Sequence, residues 1–245
     1  MGWRVRLTVL SRRDVPERMD APGANPERVR ESLRDLRLVN RFLGGVGAVA
    51  WGFRRLLVQG GVEGSLRLLD VGTGGGDLPA ALARWASGRG WAVRGVGLDR
   101  GRTAITLAKE TFSGDGAFLL VRGDALALPF RAGAFDVAIS STTLHHFSDR
   151  GAIRMLRELR RVARRGVVIG DLRRSLPGYL GARLLAATLW RRHAYARHDG
   201  PASVRRAYTV REVQALLVAA GLGGTVRRRP FFRLAAWIPV GDGDG

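Results

Sequence analysis

Short apolar runs and amphipathic stretches alternate along the middle of this chain. Five runs of mainly apolar residues predict buried strands, at residues 66–71, 91–99, 118–122, 135–141 and 166–171. Between them, residues 78–86 and 152–164 carry apolar side chains at helical spacing and predict helices. Strands that alternate with helices predict a mainly parallel sheet with helices on both faces. In such a sheet, ligands bind at the carboxyl ends of the strands.

The segment before this alternation reads differently. Prolines and a glycine make residues 14–28 an irregular arm, whereas residues 27–43 predict an amphipathic helix. A second apolar stretch, 46–58, leads to the first strand. We therefore expect an N-terminal arm with lid helices over residues 1–60 and a ligand-binding domain over residues 61–245.

After the fifth strand, residues 172–208 predict an insertion that selects the substrate. Its apolar part, Leu176–Trp190, predicts a substrate-covering helix, with an interfacial helix and plain core packing as alternatives. It is too short to span a bilayer. Residues 191–201 predict a polar loop over the pocket. A helix over 209–221 and a terminal hairpin over 225–239 complete the chain.

A glycine-rich loop follows the first strand. The run Leu68–Asp77 reads L-L-D-V-G-T-G-G-G-D, so Asp70 ends the strand and glycines let the backbone turn sharply and approach a ligand. Asp77 is the predicted N-cap of the next helix, with Pro79 in its first turn. The dinucleotide fingerprint G-x-G-x-x-G would require a glycine at position 77, so this loop does not fit NAD.

Two further acids follow predicted strands. Asp99 ends the second strand, where a carboxylate can accept both ribose hydroxyls of an adenosine. Asp124 follows the third strand within G-D-A-x-x-L-P-F. The three acids, Asp70, Asp99 and Asp124, fall at neighbouring strand ends, which predicts one nucleoside site at the edge of the sheet.

These motifs, in this order, resemble those of class I S-adenosylmethionine (SAM) dependent methyltransferases. The resemblance covers residues 66–170 and implies SAM as cofactor. It also implies a Rossmann-like, doubly wound and mainly parallel seven-stranded sheet, with an antiparallel C-terminal strand, an N-terminal helical lid and a helical insertion. The cofactor-binding residues that it implies are Asp70, Gly72, Thr73, Gly74, Asp77, Asp99, Arg100, Asp124, Ala125, Ser140 and Ser141.

The glycine loop and the G-D-A-x-x-L-P-F run resemble, within that class, the UbiE-like group of quinone biosynthesis and its natural-product relatives. The quinone enzymes have an N-x-F-G-x-R-N run after the fourth strand, but here that place holds T-T-L-H-H-F, residues 142–147. The departure counts against a quinol and favours a broader class of small acceptors, for example phenolic or polyketide products. The expected acceptor is therefore phenolic, polyketide or quinol-like. Whether an oxygen or a carbon is methylated stays open.

Methyl transfer from SAM is an in-line displacement, which needs chiefly alignment of the two reactants. A phenol, enol or carbon acid also benefits from a base. His145 and His146, just beyond the fourth strand, are the predicted catalytic residues, at most one of them facing the substrate; a structural role is an equal alternative. No carboxylates stand near them in the sequence at ligand spacing, so no metal is expected.

The net charge of +20 raises the question of a polyanionic partner. Of the 41 basic residues only Lys109 is a lysine, and the arginines are scattered in pairs rather than gathered in one arm. A solvated, compositionally biased surface is the first interpretation; a tRNA or rRNA methyltransferase and peripheral contact with a membrane are the alternatives. The N/D-P-P-Y motif of base-amine methylation is absent.

The chain has no cysteine. Disulfides, a radical-SAM cluster and the cysteine nucleophile of pyrimidine C5 methylation are thereby excluded. No secretory apolar segment is recognised near Met1, so a cytoplasmic location is expected. An NAD-dependent oxidoreductase and a non-catalytic SAM-binding protein remain as rival functions, and the sequence leaves the oligomeric state open.

Overall fold

The structure, a computed structural model, describes residues 10–59, 64–113 and 116–240. The expectation about a secretory segment falls on residues 1–9, outside the described residues. The domain boundary between residues 60 and 61 lies outside them as well. The elements in chain order are helices α1 Pro26–Phe42 and α2 Gly45–Gln59, strand β1 Ser65–Val71, α3 Asp77–Ser87, β2 Ala92–Asp99, α4 Arg102–Thr111, β3 Phe118–Arg122, β4 Phe135–Ser141, α5 Asp149–Val162, β5 Ala163–Leu172, α6 Leu176–Ala187, α7 Ala194–Arg206, α8 Val210–Ala220, β6 Thr225–Arg229 and β7 Arg233–Pro239.

The strands form one seven-stranded sheet in the order β3-β2-β1-β4-β5-β7-β6. The first five strands pair in parallel, and β7 runs antiparallel to both β5 and β6. This confirms the predicted fold class, including its antiparallel C-terminal strand. The order reverses at β1, so the carboxyl ends of β1 and β4 diverge there and open a crevice for a ligand.

Apolar side chains fill both faces of the sheet. One core layer lies under α5 and α8, whose buried residues include Leu156, Leu159 and Leu217. The other lies under α2 and α3, where Phe53 and Leu82 are fully buried. The helix α2 thus covers the sheet, while α1 continues beyond it toward the strand ends. No helix among the described residues is long and apolar enough to cross a membrane.

The structure corrects two local predictions. The helix α3 begins at Asp77, and its N-cap is Gly76, whose φ of 75° suits a glycine. Residues 191–201 are not a loop: from Ala194 they form α7, with Pro201 inside the helix. Tertiary packing offsets the poor helix propensity there, because Trp190 lies against Gly200 and the Asp199 carboxylate accepts from the backbone N–H of Arg18.

Candidate active site

A cavity of about 1310 Å³ opens at the carboxyl ends of the parallel strands. The glycine loop forms one side of it, and α1, α6 and α7 cover the other. Of the sequence-predicted site residues, twelve lie on its wall: Asp70, Gly72, Thr73, Gly74, Asp77, Asp99, Arg100, Asp124, Ala125, Ser141, His145 and His146. The topology therefore brings almost the whole predicted set together.

Two backbone hydrogen bonds fix the glycine loop against β2. The N–H groups of Gly72 and Thr73 both donate to the Leu98 carbonyl, at 2.8 and 3.0 Å. Gly72 has a φ of 76°, and a Cβ there would lie 2.2 Å from the Thr143 hydroxyl oxygen. Only glycine fits this position, because both the backbone conformation and the neighbouring side chain exclude a larger residue.

Asp99 holds the next part of the loop. Its two carboxylate oxygens accept from the N–H groups of Gly74, at 2.9 Å, and Gly101, at 2.8 Å. Burial raises the pKa of Asp99, and these two hydrogen bonds act in the opposite direction. Each oxygen keeps a free lone pair. Asp99 can therefore hold the glycine loop in place and at the same time accept hydrogen bonds from the hydroxyl groups of a ligand.

Unpartnered acceptors lie at the floor of the cavity beside this loop. Asp70 is 1% exposed, and no hydrogen-bond partner for its Oδ1 is found among the described residues. The Asn40 carbonyl oxygen is buried in the same condition, within the described part of the chain, whereas the Thr73 hydroxyl lies beside the Asp70 carboxyl and acts to lower its pKa. A buried polar atom without a hydrogen-bond partner lowers the stability of the folded protein, and a ligand that supplies the partner removes this cost. These acceptors mark the site of a donor-bearing molecule.

Three carboxylates, those of Asp70, Asp77 and Asp99, cluster at this end of the cavity in a strongly basic protein. Burial raises the pKa of Asp70 to about 7, and the negative charges of Asp77 and Asp99 add to the effect. Such a site favours a cationic ligand, which SAM is through its sulfonium and ammonium groups. It disfavours the pyrophosphate of NAD.

The raised pKa of Asp70 predicts a pH-dependent affinity for S-adenosylhomocysteine (SAH). The positively charged ammonium group of SAH favours the ionised form of the Asp70 carboxyl. The affinity of the protein for SAH therefore rises as the pH increases through about 7. We expect roughly a tenfold gain between pH 6 and pH 8, measured by isothermal titration calorimetry. The variant Asp70→Asn should give a flat profile, and an unchanged slope in that variant would contradict the assignment.

Two other predicted positions lie where a nucleoside base is expected. Asp124 accepts from the Leu126 N–H at 2.9 Å and borders the cavity together with Ala125. Ser141 borders it too, but Ser140 does not. The Ser140 hydroxyl is buried and donates to the Val71 carbonyl at 2.7 Å. The Ser140 hydroxyl therefore ties β4 to β1, and its assignment to the cofactor site stays a prediction.

His145 does not fit the role of a general base. Its ring is fully buried, with Nδ1 2.7 Å from Asp171 and Nε2 3.2 Å from Glu17. Burial acts to lower the pKa of His145, but the charge and hydrogen bond of Asp171, with Glu17, raise it to about 9. Both ring nitrogens thus face carboxylates, and neither is open to a proton of the acceptor.

His146 is the more open of the pair. Its side chain is 23% exposed, it borders the cavity, and its Nδ1 lies 2.7 Å from Asp20. Glu17 and Asp20, on the N-terminal arm, were missed by sequence reasoning. No periodicity or motif links them to residues 145 and 146, because the contact depends on how the arm packs against α7.

Comparison with known proteins agrees with this geometry. Residues 68–166 match a family model described as a methyltransferase domain. The chain contains a class I SAM-dependent methyltransferase domain. The matched range begins in β1 and ends in β5, so it contains the glycine loop, Asp99 and Asp124, the elements that carried the resemblance.

Curated relatives match the methyltransferase domain only in part. The demethylmenaquinone methyltransferase of Roseiflexus castenholzii is 38% identical over 111 residues, 45% of this chain and 44% of that protein. The tRNA (carboxymethyluridine(34)-5-O)-methyltransferase alkbh8 of Xenopus tropicalis is 42% identical over 73 residues, 29% of this chain and 11% of that protein. The chain thus spans less than half the length of either relative.

Solved structures share the fold over a larger part of the chain. A SAM dependent methyltransferase from Aquifex aeolicus has a TM-score of 0.62 at 18% identity, covering 89% of this chain and 99% of that one. Human N-acetylserotonin methyltransferase in complex with SAM has a TM-score of 0.63 at 16% identity, covering 88% and 56%. At such identities the likeness shows the fold of the methyltransferase domain.

Proposed function

We propose that this chain transfers the methyl group of SAM to a small, largely apolar acceptor that carries an aromatic hydroxyl group, a phenol or a quinol. The observation that carries the proposal is one continuous cavity with two unlike ends. The acidic end beside the glycine loop suits SAM, and the apolar end suits an acceptor. A cavity of about 1310 Å³ has room for both.

Apolar side chains from three separate segments surround the acceptor end. They come from α1, from the predicted substrate-covering insertion and from the turn between β6 and β7. They are Leu36, Val39, Leu43, Leu184, Leu185, Trp190, Phe231 and Phe232. Because α6 and α7 both border the cavity, we propose that residues 172–208 select the acceptor.

The reaction needs few groups from the protein. The acceptor oxygen, or an activated ring carbon, attacks the methyl carbon, the carbon–sulfur bond breaks, and its electron pair stays on sulfur to give SAH. The acceptor loses one proton. Of the two predicted catalytic histidines only His146 has an accessible ring, so it is our candidate to receive that proton. The cavity walls supply the alignment.

The demethylmenaquinone methyltransferases among the relatives favour a quinol-type acceptor. In this chain residues 142–147 lack the run that those enzymes have after the fourth strand. That segment holds Thr142, whose φ of 54° is unusual for a threonine, and both histidines. Because this segment differs in sequence from that run, a phenol stands beside a quinol as the proposed acceptor.

An RNA acceptor is the second candidate, because of the partial match to alkbh8 and the net charge of +20. Several arginines, however, have structural partners. Arg161 pairs with Glu158 and donates to the Phe130 carbonyl at 2.7 Å, and the buried Arg174 donates to the Leu10 carbonyl at 2.6 Å. The apolar, helix-covered acceptor end favours a small molecule.

Calorimetric titration with SAH and NADH, after nucleic acid is removed at high salt, tests the cofactor first. Binding of SAH alone supports the proposal, and binding of NADH alone overturns it. Labelled SAM is then offered with demethylmenaquinol analogues, simple phenols, polyketide phenols and transfer RNA. Label in a phenol or quinol supports the acceptor class, and label in RNA alone replaces it by the second candidate.

A charge introduced on the acceptor wall tests whether the acceptor and the cofactor bind at different ends of the cavity. Leu184 borders the cavity and is 64% exposed, so Leu184→Glu should fold normally. We expect kcat/KM for the apolar acceptor to fall at least about tenfold, since a carboxylate then borders its binding surface, while SAH affinity stays unchanged. The control Val218→Glu, at a 71% exposed position outside the cavity, should change neither. Equal activity of both variants would place the acceptor elsewhere.

A further inference from the structure

A cluster of metal-ligand side chains lies at the cavity wall between the cofactor end and α7. Glu17, His145 and His146 each offer one atom, and the three atoms lie within 4.8 Å of one another. We propose that these residues bind one divalent transition-metal ion of the zinc type. No sequence pattern indicates this cluster, because Glu17 lies on the arm and the histidines lie more than a hundred residues away.

The spacing of the ligand atoms fits such an ion. Zinc–nitrogen and zinc–oxygen distances of about 2.0–2.1 Å place neighbouring ligands of a tetrahedral site roughly 3.4 Å apart. Here Nε2 of His145 lies 3.2 Å from Glu17 Oε1, and Nε2 of His146 lies 3.7 Å from the same oxygen. Both distances lie close to that value, and all three ligand atoms lie within 4.8 Å of one another.

The remaining ring nitrogens carry the partners that metal-binding histidines usually have. Nδ1 of His145 lies 2.7 Å from Asp171, and Nδ1 of His146 lies 2.7 Å from Asp20. A carboxylate on Nδ1 fixes the ring so that Nε2 faces the metal, and it makes the ligand more basic. A surface ion pair does not need two histidine rings that are both oriented toward one glutamate by carboxylates on Nδ1, whereas a metal site does.

An open coordination position would face the cavity, because all three ligand residues border it. The neighbouring Ser203 hydroxyl donates to Glu17 at 2.8 Å and holds that carboxylate in place. Arg206 lies 3.9 Å from Glu17 and offsets part of the negative charge of the three acids. With only nitrogen and oxygen ligands in a chain without cysteine, the site suits Zn²⁺ or Co²⁺ rather than a thiolate-binding ion.

The role of this ion rests on the proposed function, but its binding does not. An acceptor oxygen placed at the open position would become more acidic and would be held in line with the methyl group. His146 would then be a metal ligand and would not receive the proton. Metal binding thus decides between the two roles of His146.

Titration of EDTA-treated protein with Zn²⁺ by calorimetry, and with Co²⁺ by visible absorption, tests the site without SAM or acceptor. We expect one equivalent to bind and Co²⁺ to show the visible bands of a four- or five-coordinate nitrogen–oxygen site. Asp20→Asn should weaken binding about 10–100-fold, and His146→Ala, which removes a ligand, should weaken it further. Because His146 is partly exposed, its removal is tolerated better than that of the buried His145.

The matched control is His193→Ala. His193 also lies between two carboxylates, Asp35 at 2.7 Å and Glu31 at 3.5 Å, but with no second histidine in contact among its ion-pair partners in the described chain. Its loss should leave metal binding unchanged. The site would be overturned if the wild-type protein bound no metal. It would also be overturned if His146→Ala and Glu17→Gln bound the metal as tightly as the wild type. Either result leaves SAH binding and methyl transfer to be judged separately.

Discussion

Replacing Asp99 with alanine is expected to abolish SAH binding, with a loss of affinity of at least about 100-fold, or roughly 2.7 kcal/mol. The carboxylate accepts from the N–H groups of Gly74 and Gly101 and has lone pairs left for the ribose hydroxyls. Hydrogen bonds to a charged group contribute about 1.5–3 kcal/mol each. Alanine removes the ribose acceptors and also frees the glycine loop, so both effects lower the affinity.

Calorimetry with SAH measures this loss, and two variants calibrate it. Asp99→Asn keeps the shape but turns one acceptor into a donor that faces a backbone N–H, so an intermediate affinity is expected. Asp149→Ala removes an acid that is 73% exposed and does not border the cavity, and it should bind SAH normally. If Asp99→Ala binds SAH within threefold of the wild type, the cofactor does not lie against this strand end.

The fold and the cofactor end of the cavity were predictable from the sequence because their signals are local. The strands β3 and β4 match the predicted ranges, and the glycine loop with Asp70 needs only a run of ten residues to be recognised. In a parallel sheet, every such strand end reaches the same edge. Local patterns then become one site without any knowledge of distant contacts.

The histidine cluster was not predictable, because tertiary packing alone assembles it. Glu17 and Asp20, on the N-terminal arm, and Asp171, in β5, all lie far from His145 and His146 in the sequence. No period or spacing encodes those contacts. The same limit explains α7, whose glycine and proline indicate a loop although contacts of Trp190 and Asp199 hold it as a helix.

Ser140 and Ser141 show a finer limit of the sequence. Neighbouring residues of a strand point to opposite faces, so adjacent serines cannot serve one ligand equally. Both faces of this sheet are covered, which makes either orientation compatible with the pattern. Only the structure shows that Ser140 faces inward, with its hydroxyl on the Val71 carbonyl, and that Ser141 borders the cavity.

Replacing Phe53 with alanine is expected to destabilise the protein by about 3–5 kcal/mol while leaving SAH affinity nearly unchanged. Phe53 is fully buried on α2, where it packs edge-to-face with Trp85 at a ring distance of 6.2 Å. The helix lies so close to β5 that a Cβ on Gly52 would meet Val168 at 2.7 Å. The mutation therefore opens a cavity in the core layer under α2 and α3.

This result would show that α1 and α2 have different roles, although the sequence predicts an arm with lid helices over residues 1–60 as one unit. Urea unfolding of Phe53→Ala is compared with that of Phe42→Ala, which changes a 62% exposed phenylalanine of α1 and should cost no more than about 0.5 kcal/mol. If α2 belonged to a lid, Phe53→Ala would instead weaken ligand binding at nearly unchanged stability. The packing predicts lower stability with unchanged ligand binding. The reason is that α1 borders the cavity, whereas α2 packs on the face of the sheet that positions Asp70 and Asp99.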